Sequence, residues 1–550
     1  MTNKELADVM YPDVTKTIQD YENMYPRRNL PEGAMVTRFA PSPTGFVHMG
    51  SLLTTFVTKK AADDTNGIFY LRIEDTDQER LVENGIEGIL EDLNSFNIAI
   101  DEGPLSDTVE IGTYGPYIQT KRTEIYDTYA KWLVENDYAY PCFCKSEEMT
   151  SLREKQEANK ERIGYYGEYA KCRNLSNTER INRIKDGETF VLRLKSTGDF
   201  NKKVIINDVV RGKIEYPQND IDHILIKTNG IPVYHLAAMI DDHLMGTTHI
   251  TRGEEWFPST PIHIEIIEKF GWKLPKFCHL GLLMKEENGV RRKLSKRKDP
   301  ESAVSYYAEK GIPVEAVKIY LMTIANSNFE GWFDQNKDKS IDEFKFDFKK
   351  MSVSGSLFDL EKLFNISKNY ISRLKATEVF EGLDTWASKY DVEFHKLIND
   401  NKELTTNILN IEREQKKPRK DFSSYDQVKE SIWYMYEELF TTKEKEYEFN
   451  TITDIEEIKN IYNTYINNYY SKKHDKNEWF EALKKCSEEL GYTSDMKAYK
   501  ENPGNFKGSV ADISMVIRVV VTTKSTTPDL YEIMNLLSDT QLKDRINHIN

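Results

Sequence analysis

The segment Arg38-Phe39-Ala40-Pro41-Ser42-Pro43-Thr44-Gly45-Phe46-Val47-His48-Met49-Gly50-Ser51 has the pattern of a strand, a rigid turn and the start of a helix. Phe39 suits a buried strand, and Pro41 and Pro43 lack a backbone donor, so the chain leaves any sheet there. After His48, apolar residues recur at helical spacing, at positions 52, 53, 56 and 57. A strand that leads into a helix N-terminus is where α/β proteins bind nucleotide phosphates. The segment therefore predicts a nucleotide-binding α/β fold.

Two further segments carry charged residues where such a fold has its active site. The apolar run Ile68–Leu71 predicts a buried parallel strand that delivers Arg72, Glu74, Asp75 and Asp77 at its carboxyl end. Six basic residues fall between positions 291 and 298. A mobile basic loop of this kind can close over a triphosphate and stabilise the charge that develops on a leaving group. Taken singly, each segment could instead be a solvated strand end or a solvated basic loop.

The motifs together resemble one enzyme family. The first segment resembles the HIGH-type signature of class I aminoacyl-tRNA synthetases, through Pro41, Ser42, Pro43, Thr44, Gly45, His48, Met49, Gly50 and Ser51. The run Lys293, Leu294, Ser295, Lys296 and Arg297 resembles the KMSKS loop, with Leu294 replacing Met and Arg297 replacing the final Ser. The order of the motifs, their separation of about 250 residues and the string Leu71–Asp77 identify the chain as similar to bacterial-type glutamyl-tRNA synthetases.

The resemblance implies a Rossmann-type class I synthetase catalytic domain with an α+β insertion, followed by an all-α anticodon-binding region. We expect these domains in chain order: an N-terminal extension (1–35), the first catalytic half (36–130), an insertion that binds the acceptor stem (131–215), the second catalytic half (216–300), a helical stem-contact domain (301–365) and a helical anticodon-binding domain (366–550). The extension could be packed on the next domain or be a loose arm.

The resemblance also implies the site residues. Those expected to bind glutamate are Arg38, Ala40, Ser42, Glu74, Tyr234 and Arg252, and those expected to bind ATP are His48, Gly50, Trp256 and Lys296. We expect Lys296, Lys293 and His48 to be catalytic. Two arginines suit the two carboxylates of glutamate, with Arg252 on the side-chain carboxylate, and Glu74 suits its ammonium group. Trp256 could instead be an ordinary core residue, and we expect Asp241 and Asp242 to be structural or close to ATP rather than a metal pair.

The expected activity is that of a glutamate–tRNA ligase, which activates glutamate with ATP and Mg²⁺ and transfers it to the terminal adenosine of tRNA(Glu). Ala40, Ser42, Thr44 and Arg252 argue against a glutaminyl enzyme. Two alternatives stay open: an enzyme that also charges tRNA(Gln), and a non-catalytic tRNA-binding paralogue.

Cys142, Cys144 and Cys172 form a cluster of metal-ligand type in the sequence. Three thiols could bind zinc, which usually takes four ligands. Some family members bind zinc here, and the resemblance offers Tyr166 or Tyr169 as the fourth ligand. We favour three unliganded thiols, so zinc is not expected. The odd total of five cysteines argues against a disulfide framework and for a reducing cytoplasm.

The net charge of −15 does not exclude RNA binding, because a partner responds to local charge. It predicts a concentrated basic face on an acidic body. We expect tRNA(Glu) and L-glutamate as partners, no membrane or DNA partner, and a monomer. Basic residues between 408 and 421 precede Trp433, Tyr434 and Tyr436, a combination that suits stacking on RNA bases, although these aromatic residues could instead form a core.

Overall fold

The computed structural model describes residues 1–45, 47–295 and 297–549, which include every predicted site residue except Lys296. The chain divides into two compact units. The first unit comprises Met1–Tyr306 and Lys318–Leu360, and the second comprises Tyr307–Val317 and residues 361–549.

Strands and helices both occur in the first unit, whereas the described part of the second unit has helices. The strands are β1 (Val36–Phe39), β2 (Ile68–Leu71), β3 (Gly103–Pro104), β4 (Glu110–Ile111), β5 (Ala139–Cys142), β6 (Val191–Leu194), β7 (Lys203–Asp208), β8 (Gly212–Pro217), β9 (Ile224–Ile226), β10 (His249–Gly253), β11 (Lys276–Leu280), β12 (Leu283–Glu287), β13 (Val290–Lys293) and β14 (Ser356–Leu357). The α-helices are α1 (Asn3–Met10), α2 (Ile18–Met24), α3 (Met49–Asp63), α4 (Gly85–Ser95), α5 (Thr123–Glu135), α6 (Ser146–Ala158), α7 (Asn177–Lys185), α8 (Tyr234–Leu244), α9 (Thr260–Lys269), α10 (Ser305–Lys310), α11 (Val314–Ala325), α12 (Phe329–Gln335), α13 (Leu360–Arg373), α14 (Ala376–Tyr390), α15 (Val392–Asp400), α16 (Lys402–Asn410), α17 (Val428–Ile432), α18 (Glu437–Thr442), α19 (Ile455–Thr464), α20 (Lys476–Glu489), α21 (Met496–Glu501), α22 (Val510–Thr522), α23 (Leu530–Leu536) and α24 (Asp539–Asp544). Over the described ranges, no helix combines the length and the apolar character needed to cross a bilayer.

A parallel sheet forms the centre of the first unit. Strand β1 pairs in parallel with β2, and β10 pairs in parallel with β11. The Thr248 amide donates to the Val36 carbonyl at 2.9 Å, which brings the start of β10 beside β1. All four residues of β1 are buried, as expected for a central parallel strand. The predicted Rossmann-type fold is confirmed, and the carboxyl ends of these strands lie at one edge of the sheet.

The insertion has both helices and antiparallel strands. Strand β6 pairs with β5 and with β9, and β7 forms a hairpin with β8. The end of β7 also reaches the central sheet, because Asp208 pairs in parallel with Phe277 of β11. The insertion thus brings Asp208 next to a strand of the central sheet.

The N-terminal extension is packed, so the loose-arm alternative is wrong. Helix α1 lies against α5 and α7, and α2 lies against α5. Leu6, Ala7, Tyr21 and Tyr25 are buried in the apolar core of the unit. Arg28 forms two hydrogen bonds of 2.7 Å with the carboxylate of Glu102 and donates to the Met245 carbonyl at 2.8 Å.

The second unit is helical in its described residues apart from loops, as predicted. Helix α22 is largely buried and packs against α19 and α20. Trp433, Tyr434 and Tyr436 are buried in the core of this unit. The hypothesis that these three aromatic residues stack on RNA bases is therefore wrong, because their rings are used in internal packing. Apolar rings beside a basic segment are equally compatible with a core, and here the core alternative holds.

Replacing Arg28 by Ala should release the extension. The variant leaves Glu102 largely buried without its cation, which costs about 3 kcal/mol, at the low end for breaking a buried pair. When opening is fast relative to cleavage, that cost corresponds to roughly 100-fold faster proteolysis within residues 1–35. Limited proteolysis with mass spectrometry measures the rate. Arg80→Ala removes an exposed ion pair with Asp77 and should leave the rate unchanged. Equal rates for both variants contradict the assignment.

Candidate active site

A cavity of about 590 Å³ lies at the carboxyl ends of β1, β10 and β11. Many of the residues singled out in the sequence line it: Arg38, Ala40, Glu74, Tyr234, Arg252, His48, Gly50, Ser51, Trp256, Lys293, Leu294 and Ser295. The remaining motif residues Pro41, Ser42, Pro43, Thr44, Gly45, Met49 and Arg297 are outside this lining. Ser42 nevertheless has a buried hydroxyl for which the described residues provide no hydrogen-bond partner. Lys296 lies outside the described residues.

Arg38 and Arg72 share one buried carboxylate. The Nε and Nη2 of Arg38 donate to Asp242 at 2.9 and 3.2 Å, and the Nη1 of Arg72 donates to Asp242 at 2.8 Å. The two guanidinium groups lower the pKa of Asp242 to about 2, even though its burial acts in the opposite direction. Asp241 is likewise saturated, by Arg122 and by uncharged donors. Both aspartates are therefore structural acceptors and not a metal pair.

Glu74 offers a carboxylate to the cavity. It follows β2, and the Nη2 of Arg72 donates to its Oε1 at 2.9 Å. Burial raises the pKa of Glu74, and the neighbouring Arg72 opposes that rise. The arrangement leaves Glu74 Oε2 available for a cation that enters the cavity.

Arg252 is a buried cation at the end of β10. Its hydrogen-bond partners are the imidazole nitrogens of His279 at 3.0 Å and His263 at 2.9 Å, together with hydroxyl oxygens of Thr260 and Tyr234. Among the described residues, no carboxylate oxygen lies within 4.0 Å of its side-chain nitrogens. Burial lowers the pKa of Arg252. This guanidinium is thus desolvated, and the described protein groups in direct contact with it are uncharged acceptors when the histidines are neutral.

His48 caps the helix that borders the cavity. Its Nδ1 accepts from the Ser51 amide at 3.1 Å, and its Nε2 lies 3.1 Å from the Ser51 hydroxyl. A Cβ atom on Gly50 would lie 3.1 Å from the His48 ring, so glycine keeps the first turn of α3 close to that ring. The remaining free amides of a helix N-terminus attract anions.

Trp256 stands at the edge of the cavity and not in the core. Its side chain is 39% exposed, and its ring centroid lies 4.5 Å from that of Tyr234. The core alternative for Trp256 is therefore wrong. Both rings are available to pack against a planar group in the cavity.

In the basic loop, Asp299 binds Arg292 and Ser295 through hydrogen bonds. Asp299 accepts two hydrogen bonds from Arg292, at 2.7 and 2.8 Å, and one from the Ser295 amide at 2.8 Å. Hydrogen bonds from Arg292 hold the pKa of Asp299 well below its usual range. Lys293, by contrast, is half exposed, with its Nζ 3.7 Å from Glu255. The loop therefore holds Arg292 on Asp299 and leaves the Lys293 side chain half exposed beside Glu255.

The three cysteines of the insertion form a cluster with Tyr165. Their sulfur atoms all lie within 4.8 Å of one another, and Cys144 and Cys172 are 3.7 Å apart. The Tyr165 hydroxyl lies 3.5 Å from Cys142 and 3.3 Å from Cys144. The suggested tyrosines are engaged elsewhere, since Tyr169 donates to Glu161 and Tyr166 to the Arg162 carbonyl. The oxygen nearest the thiols is thus the Tyr165 hydroxyl, and the suggestion of Tyr166 or Tyr169 is corrected.

Sequence reasoning missed the residues around Arg252. His263 lies in the apolar helix α9, His279 lies in the buried strand β11, and Asp208 is the buried last residue of β7. A signal was present, because a histidine or aspartate inside an apolar run must find a polar partner when it is buried. The sequence did not indicate that this partner is Arg252.

Replacing Asp242 by Asn should destabilise the first unit by about 3–5 kcal/mol, because two buried guanidinium groups lose their anion. The pKa of Asp242 is lowered, so its contribution is fully present above its unfolded value and is lost as pH falls. The difference in melting temperature between wild type and variant should therefore shrink from about pH 5 toward pH 2. Calorimetry measures it, with the exposed substitution Asp13→Asn as the control. A pH-independent difference contradicts the assignment.

Comparisons with known proteins identify the family of this chain. The family model described as class I tRNA synthetases (E and Q), catalytic domain, matches residues 34–364. The glutamate–tRNA ligase of Clostridium perfringens (strain 13 / Type A) is 44% identical over 547 residues, which cover 99% of this chain and 100% of the relative. That of Acetivibrio thermocellus is 45% identical over 550 residues and covers 100% of both chains.

A solved structure is similar to this chain in its three-dimensional fold. The crystal structure of a glutamate tRNA ligase from Elizabethkingia meningosepticum, in complex with its amino acid, is 26% identical to this chain, with a TM-score of 0.74. The match covers 94% of this chain and 99% of that chain. Because the sequence relatives and this structure match over nearly the full length, the chain belongs to the glutamate–tRNA ligase family of class I tRNA synthetases.

Proposed function

We propose that this chain ligates L-glutamate to tRNA(Glu) in two steps. The glutamate α-carboxylate attacks the α-phosphate of ATP, which forms glutamyl-adenylate and releases pyrophosphate. A ribose hydroxyl of the terminal tRNA adenosine then attacks the adenylate carbonyl, which forms the ester and releases AMP. Catalysis of this kind rests on positioning and on electrostatic stabilisation of the transition state.

The observation that carries the proposal is the charge pattern of the cavity. Arg38 and Arg72 are balanced by Asp242 and Glu74, whereas Arg252 is a buried cation without a carboxylate partner among the described residues. Among the described residues, the Arg252 guanidinium therefore has no direct anionic partner, and glutamate, unlike glutamine, brings a side-chain carboxylate. The guanidinium of Arg252 suits the side-chain carboxylate, and Glu74 suits the ammonium group. A neutral glutamine would leave Arg252 unpaired.

ATP is assigned to the other end of the cavity. We propose that the N-terminus of α3, with His48 and Gly50, binds phosphate oxygens and that Trp256 packs beside the nucleoside. Lys293 and Lys296 would stabilise the pyrophosphate leaving group. Mg²⁺ would enter with ATP and neutralise phosphate charge.

The proposal extends to the location, the oligomeric state and the tRNA specificity of the enzyme. We infer a cytoplasmic monomer that discriminates tRNA(Glu) from tRNA(Gln). Charging of both tRNAs is the alternative, and it implies that a separate amidation reaction corrects the product. A non-catalytic paralogue is disfavoured, because the side chains suited to both substrates converge on one cavity.

The cysteine cluster fits zinc better than the sequence indicated. A tetrahedral zinc ion with Zn–S bonds of about 2.3 Å holds sulfur atoms about 3.8 Å apart, close to the separation of Cys144 and Cys172. We propose that the three thiolates and the Tyr165 oxygen bind zinc. Bound zinc would supply a structural crosslink that joins β5 to the segment around Cys172, and it would take no part in the transfer chemistry.

The charging reaction tests the proposed function directly. Labelled glutamate should be ligated to a tRNA(Glu) transcript and not to a tRNA(Gln) transcript. Lys296→Ala should slow activation by about 10²–10³-fold, the effect of removing one electrostatic stabiliser. Lys298→Ala, in the same loop, is the matched control and should retain activity. Charging of neither transcript favours the paralogue, and an unchanged activation rate in Lys296→Ala refutes the role of that lysine.

Metal analysis tests the cysteine cluster. Protein purified without chelators should contain about one zinc ion per chain, as expected for a closed four-ligand site. Cys144→Ser should lose most of the metal, whereas Cys486→Ser, which removes a buried thiol of the second unit, should retain it. Wild-type protein that contains no zinc, and whose melting temperature does not change when zinc is added, would contradict the proposed site.

A further inference from the structure

Arg252 is held in an unusual way for a buried arginine. Its partners are two imidazoles and two hydroxyl groups, all uncharged when the histidines are neutral. Burial lowers the pKa of both His263 and His279, and the adjacent positive charge of Arg252 lowers them further. Arg38, at the same cavity, has the more common arrangement of a bidentate carboxylate partner. The two arginines therefore present different net charges to a ligand.

The first support of Arg252 runs through His279. The Asp208 Oδ2 lies 2.7 Å from the Nδ1 of His279, so a proton on Nδ1 is donated to this carboxylate. A neutral imidazole then has its lone pair on Nε2, where it accepts from the Nε of Arg252 at 3.0 Å. Asp208 is fixed by backbone amides at 2.9 to 3.0 Å. The carboxylate thus selects the tautomer of His279 without touching Arg252.

The second support runs through His263. Its Nδ1 lies 2.9 Å from the Nη1 of Arg252 and must accept, because arginine can only donate. The proton of neutral His263 is then on Nε2, which lies 3.0 Å from the Nδ1 of His235. His235 accepts that proton with its own lone pair. Two chains of hydrogen bonds therefore lead to Arg252, and each contacts its guanidinium through a neutral imidazole acceptor.

We propose that His263 and His279, supported by His235 and Asp208, are positioning residues that fix the Arg252 guanidinium without neutralising it, so that the ligand's carboxylate completes the ion pair. This inference rests on the proposed function, in which Arg252 binds the side-chain carboxylate of glutamate. It adds that discrimination against the amide depends on the neutral acceptors and not on Arg252 alone. A carboxylate in place of either imidazole would balance the charge before the substrate arrives.

An isosteric pair of variants at one position isolates the charge. His263→Asn keeps a neutral acceptor near the position of Nδ1, whereas His263→Asp puts a carboxylate there, and both lose the bond to His235. In ATP–pyrophosphate exchange with tRNA(Glu) present, His263→Asn should raise the KM for glutamate a few fold. His263→Asp should raise it by about 30-fold or more, as expected when a charged partner of a buried pair is already engaged. The KM for ATP should stay constant in both, which controls for misfolding.

Selectivity and a second variant complete the test. The ratio of kcat/KM for glutamate over glutamine should fall in His263→Asp and be largely kept in His263→Asn. Asp208→Asn should weaken the hydrogen bond that orients His279, visible as a change in its ¹⁵N shifts, and raise the KM for glutamate more than it lowers kcat. Equal effects of the Asn and Asp variants at 263 on KM and on selectivity overturn this proposal alone. A wild-type protein without glutamate-dependent exchange overturns the proposed function as well.

Discussion

Asp242 accepts hydrogen bonds from Arg38 on β1 and from Arg72 just after β2, and its own position is on helix α8. One buried carboxylate thereby joins three elements that are distant in the sequence. Two guanidinium groups this close repel each other, and removal from water would make each of them costly without an anion. The fold therefore depends on Asp242 to allow two arginines near the floor of the substrate cavity. Glu74 completes the balance from the cavity side.

The contrast with Arg252 explains how one cavity can both be stable and bind an anion. Arg38 and Arg72 have their counter-charges within the protein, which favours the folded state in the absence of substrate. Arg252 has no carboxylate in direct contact among the described residues, and the neutral imidazoles that hold it accept its hydrogen bonds without adding a negative charge. The electrostatic cost of a buried guanidinium without a direct anionic partner is thus borne at Arg252. Binding of the substrate carboxylate relieves that cost, so selectivity and affinity arise from the same group.

The sequence predicted backbone features well where they depend on local pattern. The strand over Ile68–Leu71 was predicted at its observed bounds, because a short apolar run between turn residues has few alternatives. The strand–turn–helix around Pro41 followed from the lack of backbone donors. The partners of buried side chains could not be predicted in the same way. Asp242 lies 204 residues from Arg38, and periodicity reports that such a residue is buried but not what it contacts. Tyr165 next to the thiols, and the internal packing of Trp433, were missed for the same reason.

The packed extension has a consequence for the synthesis of the chain. Arg28 donates to the Met245 carbonyl, 217 residues later, and the Val36 amide donates to the Thr248 hydroxyl, 212 residues later. A ribosome that adds 5–20 residues per second needs about 10–40 s to make the segment between such partners. Until then, the edge of β1 that meets the start of β10 and the side chain of Arg28 lack these partners. The final packing of Arg28 and of this edge of β1 therefore waits for translation of the second half of the catalytic domain.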